Sequence, residues 1–387
     1  MVSQARIGVW LRKSITMSHK ILIGTNALPP QIGGLENLSN DLALHLHQLG
    51  YLVTVFLSSD YGHTQPNRNF KTITLDSFLV ERLPIPTMSR NNAKRIFSLR
   101  KDSFDLVILQ THLFMSNWLL AILLRSRSKI LWINYGGSTV KHKSRFISML
   151  IQIYEQIGWK ILDFCSDIRL AQSEKSRRRF GKRSSQVKII NNCIPDNFLN
   201  LDLYRGKIKS VRRLLFVGRF VQDKRILELL EEVKRSLDKL QENHSSVLDA
   251  MSLTLVGDGP LRERVLKFMA DESRIDWKVK ELPDRDSVLA EMLKHDLLIQ
   301  FPLSEGQPGV TIEALAIGLP ILTTPIEDCL ESLDGVFVSE SISFADRLAS
   351  IVADISDFEL DFAMNREHLR AHHSVGGTVD SIMRVLW

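Results

Sequence analysis

Residues 296–325, DLLIQFPLSEGQPGVTIEALAIGLPILTTP, confine this part of the chain to one kind of local structure. The apolar run Leu297–Phe301 predicts a short buried strand. Pro302, Gly306, Pro308 and Gly309 then forbid regular structure and force a turn. From Thr311 the pattern becomes helical, with Ile312, Leu315 and Ala316 on one face, until Gly318 and Pro320 stop it. A second apolar strand, 320–323, follows at once. Open parallel sheets bind ligands at the carboxyl ends of their strands, beside helix N-termini. At such a place Glu305, on the loop, and Glu313, in the first helical turn, would accept hydrogen bonds from a vicinal diol. The backbone N–H groups of Gly309 and Val310 would receive phosphate oxygens. Sugar hydroxyls together with phosphate are what a nucleotide-sugar presents.

The segment EGQPGVTIEALAIGLPIL resembles the glutamate–seven residues–glutamate signature of the group 1 glycosyltransferases, retaining family 4 with the GT-B fold. The resemblance implies an α/β chain of two Rossmann-like, doubly wound domains facing a central cleft. It implies that Glu305 contacts the donor sugar with Gly306 and Gln307 beside it, and that Glu313 holds the donor ribose. Pro308 has no N–H, so one backbone donor that some relatives supply is missing from this loop, and Gln307 offers a side-chain amide nearby.

The first half repeats the strand-and-helix alternation. Lys20–Thr25 predicts a strand; Gly33 and Gly34 follow, then a helix with Leu35, Leu38, Leu42, Leu46 and Leu49 on one face, and Val53–Leu57 returns as a strand. Glycines at that turn let a phosphate approach backbone N–H groups. The segment PPQIGGLE resembles the family's N-terminal glycine loop, which implies that Gly33 and Gly34 close over the donor phosphate. Asp105–Gln110 predicts a further strand. His112, just after it, matches a family histidine near the donor sugar and the reaction centre. A helix over 114–124 and a strand over 129–134 follow. Many relatives have His-Gly after that strand, where this chain has Asn134-Tyr135-Gly136, so the acceptor side departs from the pattern.

The next helix, 141–163, carries Ile147, Leu150, Ile151, Tyr154, Ile157 and Ile161 on one side, with Lys141, Lys143 and Arg145 at its start. Two readings stand level: the apolar stripe packs on the sheet, or the helix lies on an anionic bilayer. The segment Asn192-Cys193-Ile194-Pro195 resembles the one that closes the first domain of the family.

In the second half Arg213–Val217 predicts a strand, followed by Gly218-Arg219 and, five residues on, Lys224 at the start of a helix. Two fixed cations at such a turn suit a diphosphate whose charge builds as it leaves. GRFVQDK resembles the family's Gly-Arg…Glu-Lys-Gly segment, which implies that Arg219 and Lys224 grip the donor diphosphate; Arg225 stands where a glycine is usual. The strand 252–256 runs into Gly257-Asp258-Gly259-Pro260, which resembles a common family turn.

A length of 387 residues exceeds what one core usually supports, so two domains are expected: 17–205 for the acceptor and 206–371 for the donor. The first 16 residues are expected to be an extension, Met17 the natural start, and 372–387 a final helix crossing back to the first domain. Three cysteines are too few for a disulfide framework or a thiolate zinc site, which points to the cytosol. No apolar run is long enough to span a membrane. The net charge of +6 conceals an asymmetry. Residues 1–205 carry 28 Lys+Arg against 13 Asp+Glu, and the remainder carries 22 against 31. The first half is therefore expected to face something anionic, and peripheral attachment to the inner face of the cytoplasmic membrane fits.

The expected reaction is transfer of a sugar from a nucleoside diphosphate donor to a hydroxyl acceptor, lipid-linked or part of an envelope polysaccharide, with retention. Arg219 and Lys224 carry the charge of the leaving group, so neither metal nor cofactor is expected. Nucleic acid is not an expected partner. The alternatives are a GT-B nucleotide-sugar epimerase and a non-catalytic protein that binds an anionic surface.

Overall fold

The computed structural model describes residues 19–29, 33–59, 69–80, 83–135, 144–195, 198–199, 208–243, 248, 250–282, 284–303, 307–325, 335–339, 343–355 and 362–386. The expected extension 1–16, Lys141, Lys143, Glu305 and Gly306 lie outside them. Contacts divide the chain into two compact units. The first takes in the chain to Tyr135, a segment ending at Leu170, and Gln186–Lys188; the second takes in Ala171–Ser185 and everything from Ile189.

In chain order the first sheet and its helices comprise β1 (Lys20–Thr25), α1 (Gly34–Gln48), β2 (Leu52–Leu57), β3 (Lys71–Thr74), the hairpin β4 (Ser77–Val80) and β5 (Leu83–Pro86), and α2 (Arg90–Ser98). Then come β6 (Leu106–Gln110), α3 (Met115–Leu124), β7 (Lys129–Asn134), α4 (Arg145–Cys165), β8 (Ile168–Ala171), α5 (Glu174–Arg178) and β9 (Lys188–Ile189). The sheet order is β3-β2-β1-β6-β7-β8-β9, with parallel pairing from β3 through β7. The order reverses between β1 and β6, which face each other with Gly24 opposite Leu109. Such a reversal opens a crevice at the carboxyl ends of the two strands.

The second unit holds β10 (Arg213–Val217), α6 (Ile226–Asn243), β11 (Ser252–Val256), α7 (Arg262–Ala270), β12 (Asp276–Lys280), α8 (Arg285–Met292), β13 (Leu297–Gln300), α9 (Gly309–Ala316), β14 (Ile321–Thr323), β15 (Val336–Val338), α10 (Phe344–Ala353), α11 (Phe362–His373) and α12 (Val375–Leu386). Its sheet is parallel throughout, in the order β12-β11-β10-β13-β14-β15. Here the reversal falls between β10 and β13.

Strand side chains alternate between two buried faces, as a parallel sheet covered on both sides requires. Leu214, Phe216, Leu297 and Ile299 join a core with Leu229, Val233 and Leu348. Leu215 and Leu298 join another with Ile312, Leu315 and Leu369. Burying both faces removes water from the strands' backbone and leaves the loops at their carboxyl ends as the polar rim. Among the described residues, no helix is long and apolar enough to cross a membrane.

Candidate functional site

In the second unit two loops meet at the β10–β13 reversal. The first leaves β10 at Gly218 and carries Arg219, which is exposed, and Lys224, which is half-buried. It is fastened to the loop after β11 by backbone alone. Gly218 N–H donates to Val256 O at 2.9 Å, Phe220 N–H to Asp258 O at 2.8 Å, and Leu261 N–H to Phe220 O at 3.1 Å. The glycines of that second loop are required by this approach: Gly257 adopts φ +145°, and a Cβ on it would lie 2.0 Å from Gly218 O. The Gly-Asp-Gly-Pro turn is thus the bed of the Arg219 loop.

A short 3-10 turn, Gln222–Lys224, follows and ends at Arg225 in the left-handed region, φ 51° and ψ 40°. The position where the family resemblance implies a glycine keeps a glycine's conformation, although an arginine occupies it. The Arg225 guanidinium stands 4.3 Å from the centre of the Phe301 ring, at the exit of β13. Leu303 N–H donates to Asp223 O at 3.0 Å, and Gln300 Nε2 donates to Val217 O at 3.0 Å. These contacts tie the cationic loop to the strand exit that leads towards α9.

Helix α9 begins at Gly309, two residues earlier than the periodicity predicts, with Pro308 as its N-cap at φ −67°. The polar turn residues hide a helical start whose first N–H groups have no intrahelical acceptor. Gly309 and Val310 are the first two of that helix. The earlier start also corrects the place of Glu313, which is the fifth helical residue and lies beyond the first turn. Because side chains lean towards a helix N-terminus, it still points back to the loop end. Glu313 is buried, 7 % exposed as a whole residue, and Arg285 donates from Nε to its Oε1 at 2.6 Å. A carboxylate has further acceptor positions for ribose hydroxyls.

Arg285 is absent from the sequence expectations. It opens α8, whose N-cap Asp284 accepts the Ser287 N–H at 2.7 Å; this backbone N–H holds the Asp284 carboxyl below its usual range. The Arg285 guanidinium also sits 4.9 Å from the Phe198 ring centre. Its only sequence sign is an arginine just after a capping Asp, ahead of a helix.

Gln307 is buried. Its Oε1 accepts the Asn192 N–H at 2.5 Å and its Nε2 donates to Asn191 Oδ1 at 3.1 Å, while Asn192 Nδ2 donates to Gln307 O at 2.8 Å. Asn192 O is bonded in turn by His373 Nδ1 at 2.8 Å. The strap Asn191–Ile194 therefore joins the loop before α9 to the end of α11. Burial pushes the His373 imidazole down to about 4, against the opposing effect of its bond to Asn192.

The first unit has its own arrangement at the β1–β6 reversal. Thr111 takes φ 61°, a left-handed conformation that a β-branched residue rarely adopts. The four carbonyls around it are each held by a side chain. Asn117 Nδ2 donates to Gln110 O at 2.6 Å and to Thr111 O at 3.1 Å. Trp118 Nε1 donates to His112 O at 2.7 Å, and Tyr154 OH to Leu113 O at 2.9 Å. Held strain at a strand exit is a mark of functional sites. His112, which follows, is 2 % exposed and meets the edges of Trp159 at 5.1 Å and Trp132 at 6.2 Å.

Gly33 and Gly34 stand where α1 begins. Gly33 has φ 175°, extended backbone open to any residue, and a Cβ on Gly34 would meet nothing within 4 Å. Open space above the backbone is what Gly34 provides. The Glu36 carboxylate lies over Gly33 and accepts from Asn26 Nδ2 at 3.4 Å. Among the described residues, no three His, Cys, Asp or Glu side chains cluster as a metal site.

The structure thus brings Arg219, Lys224, Gly309, Val310, Gln307 and Glu313 to neighbouring loops of one unit, and His112, Gly33 and Gly34 to neighbouring loops of the other.

Two family models match in tandem. "Glycosyltransferase Family 4" covers residues 32–198, and "Glycosyl transferases group 1" covers residues 211–354. The putative teichuronic acid biosynthesis glycosyltransferase TuaC of Bacillus subtilis (strain 168) is 31 % identical over 115 residues, which is 30 % of this chain and 25 % of that protein. The match thus spans a quarter of that relative's length. Sucrose-phosphate synthase from Thermosynechococcus elongatus superposes with a TM-score of 0.70 at 16 % identity, over 95 % of this chain and 98 % of that one. A mutant of S. aureus TarM in complex with fondaparinux, α-GlcNAc-glycerol and UDP gives 0.69 at 10 % identity, over 95 % and 99 %. The structural likeness shows the fold, which is GT-B.

Proposed function

Because the chain belongs to the group 1 glycosyltransferases, we propose that it moves a sugar from a nucleoside diphosphate sugar to a hydroxyl acceptor, with retention at the anomeric carbon. The observation that carries this reading is the fastening, at the β10–β13 reversal, of the Arg219–Lys224 loop to the β13 exit at Phe301 and Leu303, the exit that precedes α9 and its Glu313 in the chain. Arg219, Lys224 and the N–H groups of Gly309 and Val310 take the diphosphate and stabilise it as it leaves. Glu313 takes the ribose hydroxyls from a position fixed by Arg285. Glu305, Gly306 and Gln307 bind the donor sugar in this reading, with Gln307 set by Asn191 and Asn192.

His112 lines the reaction centre, and the backbone at Gly33 and Gly34 closes over the donor phosphate beside α1. The departing phosphate oxygen accepts the acceptor's proton, so no separate base is needed. Two cations and a helix start supply the charge that a metal would supply elsewhere, and no metal is part of the mechanism. UDP, present in the TarM complex, is the first nucleotide to try. A lipid-linked or envelope glycan is the proposed acceptor, and it fits the basic first half and peripheral attachment to the inner face of the cytoplasmic membrane.

The test is product analysis with UDP-, GDP- and ADP-sugars, with and without lipid-linked acceptors. The reading expects a new glycosidic bond of the donor's anomeric configuration. Inverted products would overturn retention. An epimerised donor formed without acceptor would replace the transferase reading altogether.

A further inference from the structure

Helix α4 buries one face and leaves the opposite one exposed. Ile151, Glu155, Gly158, Leu162 and Cys165 point inwards. Gly158 permits close contact with α3, since a Cβ there would lie 2.3 Å from the Trp118 ring. On the outer side Phe146 (64 % exposed), Met149, Leu150, Ile153, Ile157 and Phe164 (68 %) reach solvent. Their spacing places all six on one helical stripe. An outer face is ordinarily polar, so a continuous apolar stripe there marks a contact surface.

The remaining exposed residues of α4 are Arg145, Gln152, Gln156 and Lys160. None is acidic. The helix has two carboxylates: Glu155 is buried and Asp163 accepts from Arg169 Nε at 2.6 Å. Helix α3 extends the same character. Ile122 is exposed one turn before Arg125, whose guanidinium stands 4.3 Å from the centre of the Phe164 ring. Arg127 and Lys129 follow, both exposed.

We propose that this face of α4 docks the protein on an anionic lipid bilayer. The helix lies in the plane of the interface, with its six apolar side chains at the boundary between headgroups and acyl chains. Arg125, Arg145 and Lys160 meet the lipid phosphates. The charge pattern selects this occupant over a second copy of the chain. Pairing two such faces would set the exposed cations of α4 against each other, since no exposed residue of that helix is acidic, whereas an anionic bilayer supplies the missing negative charge. The proposal deepens the lipid-linked acceptor reading and rests on it for its purpose, since docking would bring the acceptor within reach.

The test uses the full chain and two kinds of vesicle, phosphatidylcholine alone and phosphatidylcholine with phosphatidylglycerol, read by co-sedimentation. Wild type is expected to bind the anionic vesicles and to release them as salt rises. Ile153→Glu with Ile157→Glu, both outside the buried face, should weaken partitioning roughly tenfold or more while leaving the melting temperature in place. Arg145→Ser with Lys160→Ser should weaken it by about fivefold for each cation removed.

Failure of wild type to bind anionic vesicles, or unchanged binding by both double variants, overturns the proposal. So does a dimer in solution that the glutamate variant dissolves, because the face would then belong to a second copy. Thermal stabilisation by nucleotide-sugars is measured in parallel. If vesicle binding follows the stated pattern but no nucleotide-sugar stabilises wild type, the docking surface stands and the transferase reading falls.

Discussion

Arg285 Nε donates to Glu313 Oε1 across 2.6 Å, and the two side chains are only 16 % and 9 % exposed. The carboxylate proposed for the ribose is therefore oriented from behind by a cation on a separate helix. Removing one member of a buried pair leaves the other uncompensated, at a cost of about 3 kcal/mol or more. Arg285→Ala should lower the unfolding free energy by that order and raise the KM for donor far more than it lowers kcat. Arg285→Lys keeps the charge but loses the planar fork, so it should recover stability in part. Steady-state kinetics beside urea titration decides this; an unchanged donor KM in Arg285→Ala would remove Arg285 from the site.

His373 makes stability depend on pH. Burial lowers its folded pKa to about 4 from the ordinary 6.5, so protonation favours the unfolded chain. Its contribution is complete above the unfolded value and is lost as pH falls from 6.5 towards about 4, by roughly 3 kcal/mol in all. His368, with its ring centre 6.1 Å away, adds repulsion when charged. His373→Gln should flatten the stability curve across that window. Parallel curves for variant and wild type would show that another group sets the acid limit.

Arg225 pays for its left-handed backbone with two side-chain contacts, the Phe301 ring and the Glu228 carboxylate 3.9 Å from its Nε. Arg225→Gly relieves strain of about 1 kcal/mol but surrenders both contacts, so the net change should stay within about 1 kcal/mol. Arg225→Val keeps the strain, stiffens the backbone and loses the contacts; it should cost about 2 kcal/mol. Equal melting temperatures for the glycine and valine variants would contradict the backbone assignment.

Gly257→Ala puts a methyl group into the carbonyl of Gly218 and forces φ +145° on a residue with a Cβ. The expected loss is roughly 2 kcal/mol or more, together with weaker nucleotide binding, because the displaced strand exit carries Arg219. Calorimetric titration with nucleotide reads the second effect, and unchanged affinity would mean that the Gly-Asp-Gly-Pro turn does not support that loop.

The strands were the most legible part of the chain. Lys20–Thr25, Lys129–Asn134, Arg213–Val217 and Ser252–Val256 are found at the residues the apolar runs predict, because a buried parallel strand is apolar on both faces and polar turn residues bound it. The hairpin β4–β5, with prolines at 84 and 86, the helices α2, α5 and α10, and strand β15 gave no reading. Proline-rich, basic or short segments carry weak periodicity. Arg285 was illegible for another reason: its partner lies 28 residues on, and only the turn of the chain between β12 and α9 brings them together. For α4 the sequence left two readings of one apolar stripe level, packed on the sheet or laid on a bilayer. The structure divides that stripe: Ile151 is buried, whereas Leu150 and Ile157 are exposed.

The central claim is that Arg219, Lys224 and Glu313 serve one sugar-nucleotide. The most direct measurement is calorimetric titration of UDP, GDP and ADP into wild type, Arg219→Ala, Lys224→Ala and Glu313→Ala, each first shown to be folded. The account predicts that wild type binds one of the three nucleotides and that each variant binds it roughly tenfold or more weakly. Absence of any binding at millimolar nucleotide, or equal affinity in all four proteins, would contradict it.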